Sequence, residues 1–229
     1  MTTTPAMPVR DAATVLVIRD RMTAPKVLMG RRNTRSTFMP DVYVFPGGAV
    51  DAGDAAIPLV RPMPDPCRAR LSPHPAPDAL AAAAIRELWE ETGLRLAASA
   101  PWPAPPSDWQ GFAEGGARPD AGGLRYIFRA ITPIGRPRRF DARFFMADAA
   151  HLLGDPDDLT PSAELGDLQW VPVDKAHELG LAPVTAVALM QVTRRLPDLG
   201  PPPEVPFFDG EDEGWTIATF HRWLAAQPV

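Results

Sequence analysis

Three glutamates near the middle of the chain have the spacing that places carboxylates on one face of a helix. Glu87, Glu90 and Glu91 stand at positions i, i+3 and i+4 of the segment RELWEETGL, residues 86–94, and such positions are neighbours on a helix surface. A solvated acidic face is the common explanation of this pattern. The chemical alternative is a metal site, because Mg²⁺ and Mn²⁺ bind carboxylate oxygens.

Two unfavourable energies of placing these glutamates on a helix favour the metal site over a solvated face. Like charges at these helical spacings destabilise a helix by about 0.2–0.5 kcal/mol per pair. Glu90 and Glu91 also lie in the last turn before Gly93, where the negative end of the helix dipole disfavours acidic side chains. A bound dication would convert this repulsion into coordination. We therefore predict that the three glutamates bind a divalent metal ion.

A glycine pair is a second candidate part of the same site. Gly47 and Gly48 directly follow Phe45 and Pro46, at the end of an apolar run. Glycine lets the backbone approach a ligand closely and can direct a carbonyl toward a metal ion. Most glycine pairs after strands are simple turns, so this pair is evidence for a metal site only in combination with the glutamates.

Local patterns indicate the elements that position these residues. The strongest helix is predicted over 79–92, after Pro77 and an N-cap at Asp78, and Gly93 ends it. The other predicted elements are helices at 184–196 and 214–224 and strands at 13–18, 26–29, 41–45, 124–132, 139–146 and 169–173. Strands interleaved with one central helix predict a single α/β or α+β domain.

Two stretches are rich in residues that break regular structure. Between 55 and 77, seven of 23 residues are proline, which excludes helix interiors and central strands because each proline fixes φ and removes a donor. We predict a long surface insertion here, acting as a lid or dimer contact. The second stretch, 99–123, is predicted as loop, with Trp102, Trp109 and Phe112 packing it down rather than stacking on an adenine. Residues 201–229 are predicted to form a C-terminal extension.

Composition excludes several classes of protein. The 229 residues are 45% hydrophobic and 22% charged, which is ordinary for a chain with a core. A net charge of −5 argues against a nucleic-acid binder, and the single cysteine excludes an intramolecular disulfide. Because neither a long apolar run nor a signal peptide is visible, we expect a soluble cytoplasmic protein that binds no membrane.

The glycines and glutamates together resemble a known family motif. Gly48, Asp54 and the segment 86–94 are similar to the Nudix box, Gly-x5-Glu-x7-Arg-Glu-U-x-Glu-Glu-x-Gly-U, in which U is aliphatic. The second half of the box matches at every specified position. The first half departs in two ways. Asp54 replaces a glutamate, and 31 residues rather than seven separate it from Arg86, so the proline-rich segment corresponds to an insertion of 24 residues.

The flanking residues resemble one branch of this family, the group of the peroxisomal coenzyme A diphosphatase, whose box is also split by a long insertion. The similar segments are Phe38-Met39-Pro40, Val44-Phe45-Pro46-Gly47-Gly48, Arg138-Arg139-Phe140-Asp141 and Phe144-Phe145. A more widespread coenzyme A signature is only partly present, because Arg32 fits it while its Leu-Leu-Thr and downstream arginine are missing. The resemblance covers residues 13–173.

The resemblance implies roles for individual residues. The implied ligands of Mg²⁺ or Mn²⁺ are Glu87, Glu90, Glu91 and the carbonyl of Gly47. Arg86 is expected to tie the loop to the helix by pairing with acids such as Glu87 or Asp54. Glu164 matches a late glutamate that serves some members as ligand or base, with a solvated loop acid as the alternative. The implied substrate-binding residues are Arg32, Arg139 and Gly48.

The implied fold is the Nudix α/β/α sandwich with a mixed β-sheet, in one domain over 1–229. The implied function is metal-dependent hydrolysis of coenzyme A or acyl-coenzyme A to 3′,5′-ADP and (acyl-)4′-phosphopantetheine. Three alternatives stay open: an ADP-ribose or nucleotide-sugar pyrophosphatase, an inactive ligand-binding regulator, and an acidic docking face without metal. The expected partner is a small nucleotide, and the family is compatible with a homodimer.

Overall fold

The computed structural model describes residues 8–34, 40–71 and 74–210. Its strands are β1 Val9–Arg19, β2 Lys26–Arg32, β3 Tyr43–Val44, β4 Gly47–Ala49, β5 Arg95–Ser99, β6 Ala117–Pro119, β7 Arg125–Ile131, β8 Arg139–Asp148, β9 Leu152–Leu153, β10 Leu165–Pro172 and β11 Phe207–Phe208. Its α-helices are α1 Asp65–Arg68, α2 Pro77–Thr92, α3 Gln110–Ala113 and α4 Pro183–Thr193. The predicted helix at 214–224 lies outside the described residues.

Eight strands form one mixed sheet around β1. The order is β10-β2-β1-β8-β7-β11, with β3 paired to β2 and β4 paired to β1. β1 runs parallel to β8 and β11 runs parallel to β7, whereas the remaining pairs are antiparallel. A separate three-stranded sheet has the order β6-β5-β9. The continuous apolar run of β1 suits this central place, because a central strand is buried on both faces.

Helices cover both faces of the main sheet. Val15 and Val17 of β1 pack in the core that includes the buried side of α2. Leu16 and Ile18 pack in a second core with α4, because successive side chains of a strand point to opposite faces. The predicted α/β/α sandwich with a mixed sheet is confirmed. Within the described part of the chain, no helix has the length and apolarity needed to cross a membrane.

The helix α2 carries the glutamates and is fixed at both ends. Its alanine-rich part, residues 79–85, is buried. Gly93 ends it in the left-handed conformation, with a φ of 78°, as predicted. The N-cap is Ala76 rather than Asp78, so that prediction was wrong. Pro77 itself fits the first helical position, where no N–H is needed, and Asp78 in the first turn pairs with Arg68.

Most other predicted elements are present with shifted ends. The strand predicted over 41–45 is reduced to Tyr43–Val44, because Asp41 has a φ of 61° that is incompatible with a strand. β5 and β6 were not predicted. The β5 sequence, RLAAS, is rich in alanine, which has little strand preference.

The segment 55–77 is anchored to the core, although most of its described residues are exposed or half-buried, as expected of a surface insertion. Among its described residues, four apolar side chains are buried: Ile57, Met63, Cys67 and Leu71. They pack in the same core as α2. Val60 N donates to the carbonyl of Pro119 at 2.8 Å, and Ala121 N donates to the carbonyl of Arg61 at 3.0 Å. Its described residues lie outside the strands, as predicted, but the apolar residues between the prolines anchor it.

The aromatic residues of 99–123 pack against α2. Trp109 and Phe112 are buried, and Phe112 meets Trp89 of α2 edge to face with ring centroids 5.7 Å apart. The ring centroids of Trp102 and Trp109 are 5.7 Å apart. The prediction that they pack the loop rather than present a stacking surface is confirmed for Trp109 and Phe112.

Candidate active site

Arg86 joins α2 to the loop that follows β4. Its Nε and Nη2 donate to the two carboxylate oxygens of Asp54, each at 3.0 Å, and Nη2 also donates to the carbonyl of Ala49 at 2.9 Å. Its Nη1 donates to Glu87 Oε1 at 2.9 Å and to Glu90 Oε2 at 3.1 Å. The Arg86 side chain is 6% exposed, and a guanidinium buried this deeply requires such partners.

Asp54 makes the contact that the family motif assigns to a glutamate. It is buried, and its Oδ2 also accepts the Asp51 N–H at 2.8 Å. The 3₁₀ turn Ala52–Ala56 carries this shorter side chain toward α2. Burial alone would lower the pKa of Arg86, but its hydrogen bonds to Asp54 and the charge of Glu87 raise the pKa above its ordinary value. The prediction that Arg86 ties the loop to the helix is confirmed.

Glu91 lies beneath the glycine pair. Its Oε2 accepts the Gly47 N–H at 2.9 Å, and the residue is 5% exposed. Burial raises the pKa of Glu91 to about 8, and the hydrogen bond from Gly47 and the charge of Arg32 act in the opposite direction. A carboxylate in this position is costly to ionise unless a cation lies near it.

Gly48 and Glu87 lie directly beside each other. In the register of β4 with β1, Gly47 is opposite Thr14 and Gly48 is opposite Ala13. The carboxylate of Glu87 fills the space where a Gly48 side chain would lie. Burial raises the pKa of Glu87 to about 7, against the lowering effect of Arg86. Burial also raises the pKa of Glu90, which Arg86 again opposes.

Glu164 and Arg32 lie at adjacent ends of the paired strands β10 and β2. Glu164 is exposed and precedes β10, and its carbonyl accepts the Asn33 N–H at 3.0 Å, just beyond β2. The charge of Glu164 contributes to the raised pKa values of both Glu87 and Glu91. Arg32, the last residue of β2, acts on Glu91. The charges of both residues therefore act on the buried glutamates.

The strand register separates the backbone of Arg139 from the glycine pair. It begins β8, four residues before Arg143, and Arg143 is in register with Ala13, the β1 partner of Gly48. Four strand residues correspond to about 13 Å. The Arg139 Nε donates to the carbonyl of Thr132 at 2.9 Å. The predicted substrate-binding role of Arg139 gains no support from this placement.

Two contacts with Arg86 had no predicted role. One is the carbonyl of Ala49, which carries no sequence signal because every residue has one. The other is Asp51, whose Oδ2 lies 3.7 Å from Arg86 Nη2. Its place in the loop between Gly48 and Asp54 could have suggested that it faces the same arginine.

The residues at this site fit a hard divalent cation by donor chemistry and by charge. Four carboxylates lie within 4 Å of the Arg86 guanidinium, those of Asp51, Asp54, Glu87 and Glu90, and Glu91 lies at Gly47. Among the described residues, no three acidic, histidine or cysteine side chains are arranged to hold an ion. Glu87 and Glu90 turn toward Arg86 instead, and Glu91 turns toward Gly47. The assignment of metal ligands therefore stays a prediction.

Known proteins resemble this chain, although no family model matches it. A crystallised NUDIX hydrolase from Alicyclobacillus acidocaldarius is 32% identical, with a TM-score of 0.59, and the match covers 82% of this chain and 92% of that one. Nudix hydrolase 7 of Caenorhabditis elegans is 29% identical over 188 residues, 73% of this chain and 54% of the relative. An acyl-coenzyme A diphosphatase of Gallus gallus is 28% identical over 179 residues, 53% of this chain and 47% of the relative.

The chain belongs to the Nudix hydrolase family. The family predicted from the box is confirmed, and a diphosphatase of the predicted branch is among its relatives. The chain spans about half the length of the curated relatives that it matches.

Proposed function

We propose that this protein is a divalent-metal-dependent diphosphatase that hydrolyses coenzyme A or acyl-coenzyme A to 3′,5′-ADP and (acyl-)4′-phosphopantetheine. The observation that carries the proposal is the cluster of Glu87, Glu90 and Glu91, held by Arg86 and by the Gly47 N–H at the glycine loop. The similarity to the acyl-coenzyme A diphosphatase of Gallus gallus supports the choice of substrate.

Mg²⁺ or Mn²⁺ is the cofactor that these residues fit. Glu87, Glu90, Glu91 and the Gly47 carbonyl would hold the ion. A bound ion of this kind lowers the pKa of water and neutralises diphosphate charge. An inactive regulator would have no need to keep three acids in the last turns of a helix, where their mutual repulsion and the helix dipole both oppose them.

The chain's own residues supply the remaining parts of the proposed reaction. Arg86 holds Glu87 and Glu90 in place, and the Gly47 N–H holds Glu91. Arg32 binds diphosphate oxygens, for which the planar guanidinium is well suited. The exposed carboxylate of Glu164, beside the buried glutamates, accepts a proton from the attacking water.

The proposed reaction is a simple hydrolysis. The oxygen of water bonds to one phosphorus of the diphosphate, and the bond from that phosphorus to the bridging oxygen breaks. The bridging oxygen leaves with the other phosphate. The proton taken up at Glu164 passes to solvent, and the two products together contain the added water.

A substrate panel with product identification tests this proposal. Coenzyme A, an acyl-coenzyme A, ADP-ribose, NADH and a nucleotide sugar are each incubated with Mn²⁺ or with a chelator, and products are identified by mass spectrometry. We expect 3′,5′-ADP and 4′-phosphopantetheine from coenzyme A, in the presence of metal only. Faster turnover of ADP-ribose or a nucleotide sugar would support the pyrophosphatase alternative. Binding without turnover would indicate a regulator, and neither metal binding nor turnover would indicate an acidic docking face.

A further inference from the structure

The two glycines of the loop are crowded by different kinds of atom. A Cβ on Gly47 would lie 2.6 Å from the carbonyl oxygen of Ala13 and 2.6 Å from the Cα of Thr14. Both atoms belong to the backbone of β1. A Cβ on Gly48 would instead lie no farther than 2.6 Å from the Cδ and both carboxylate oxygens of Glu87. A backbone strand cannot yield without disturbing the sheet, whereas a glutamate carboxylate can swing away by rotation about its side-chain bonds.

The carboxylate of Glu87 is confined from two sides. Its Oε1 accepts the Arg86 Nη1 hydrogen bond at 2.9 Å, and its side chain is 14% exposed. The bare backbone of Gly48 lies against it on the other side. Glu91, one helical turn further along α2, is held at the neighbouring Gly47. Each of the two glutamates thus lies against one glycine of the pair.

We propose that Gly48 is a positioning residue, whose missing side chain leaves the space in which the Glu87 carboxylate lies beside Glu91. A methyl group at position 48 would push Glu87 away from the loop and separate it from Glu91. This inference rests on the proposed function, in which both glutamates are metal ligands. Gly47 has a different role, because its missing side chain lets β4 approach β1.

The substitution Gly48→Ala tests the inference through metal binding rather than turnover. We expect the affinity for Mn²⁺, measured by electron paramagnetic resonance on the folded protein, to fall by about 10- to 100-fold. The metal-free protein should stay folded with a modest decrease in melting temperature, because only the Glu87 side chain, and no backbone, has to move. Gly53→Ala is the matched control, since among the described residues nothing lies within 4 Å of a Cβ at that position. It should leave both the Mn²⁺ affinity and the melting temperature unchanged.

A double-mutant cycle tests whether Glu87 is the residue that the methyl group displaces. Glu87→Asp withdraws the carboxylate by one methylene and should weaken Mn²⁺ binding by itself. Adding Gly48→Ala to Glu87→Asp should then cost little further affinity, because the shorter side chain no longer meets the methyl group. The two substitutions are therefore expected to be strongly non-additive.

Each contrary result has a definite meaning. If the wild-type protein does not bind Mn²⁺, the proposed function fails and this inference fails with it. If the wild type binds Mn²⁺ and Gly48→Ala binds it equally well, or if the cycle is additive, only the positioning role of Gly48 is overturned. Unfolding of metal-free Gly48→Ala would also overturn it, because the methyl group would then displace backbone rather than Glu87.

Discussion

At the scale of single residues, the buried guanidinium of Arg86 organises the site. It donates hydrogen bonds to Asp54, Glu87, Glu90 and the carbonyl of Ala49. Lysine cannot replace this pattern, because its ammonium has three donors on a flexible stem and no planar fork. The position therefore requires arginine for geometry as well as for charge.

Replacing Arg86 by lysine should destabilise the protein by about 2–4 kcal/mol, since buried acceptors lose their donors while their charges remain. Chemical denaturation monitored by circular dichroism measures the change. Arg31→Lys is the control, because Arg31 and Asp41 form a pair in which both side chains are about half exposed, at 48% and 51%. Such surface pairs contribute about 0–1 kcal/mol. Equal effects of the two substitutions would contradict the central role of Arg86.

At the scale of elements, the site is built where a loop, a helix and strand ends meet. The sequence was sufficient to predict α2, its end at Gly93 and the acidic face, because these depend on local spacing. The pairing of Arg86 with Asp54 was also predictable from the family motif. The carbonyl of Ala49 and the remote position of Arg139 were not, because backbone contacts and strand register carry no local signal.

The proline-rich segment also shows that local sequence patterns do not predict tertiary contacts. Its proline content correctly predicted the absence of strands from its described residues, but not the burial of the apolar side chains between the prolines. Deleting 55–78 would restore the family spacing, but it would also remove Met63 and Cys67 from the core, so we expect the shortened protein to be destabilised.

A single substitution tests this core role without removing the segment. Met63 is 1% exposed, and Met63→Ala should lower the free energy of unfolding by about 2–5 kcal/mol through lost burial and a cavity. Met22→Ala is the matched control, since Met22 is 69% exposed and exposed substitutions change stability by about 0.5 kcal/mol or less. A small effect at Met63 would mean that the segment packs loosely and that the lid hypothesis should be restored.

At the scale of the whole molecule, the packing of the sandwich offsets the unfavourable energy of holding several carboxylates close together. The sheet and its two helical layers hold the carboxylates together where burial and mutual repulsion raise the pKa values of Glu87 and Glu91. A protein arranged in this way should gain stability from any cation that binds the cluster in the folded state alone.

Saturating Mn²⁺ or Mg²⁺ should therefore raise the melting temperature, with a gain of about 2.7 kcal/mol at a hundred times the dissociation constant. Differential scanning calorimetry with and without a chelator measures this gain. The shift should be lost in a Glu87→Gln, Glu91→Gln double variant. Ca²⁺ provides a comparison, because it accepts a larger and more flexible set of oxygen ligands. A melting temperature that is unchanged by all three ions would contradict the metal site.

The most direct test of the central claim compares stability with activity at Glu91. Glu91→Gln keeps a side-chain oxygen for the Gly47 N–H but removes the charge that a cation needs. The metal-free variant should be as stable as the wild type, or more stable by a few tenths of a kcal/mol, whereas kcat with Mn²⁺ should fall by orders of magnitude. Metal-free melting temperature and turnover are measured side by side for the two proteins. A clearly less stable metal-free variant, or near-normal turnover, would show that Glu91 is a structural acid and would contradict the proposed mechanism.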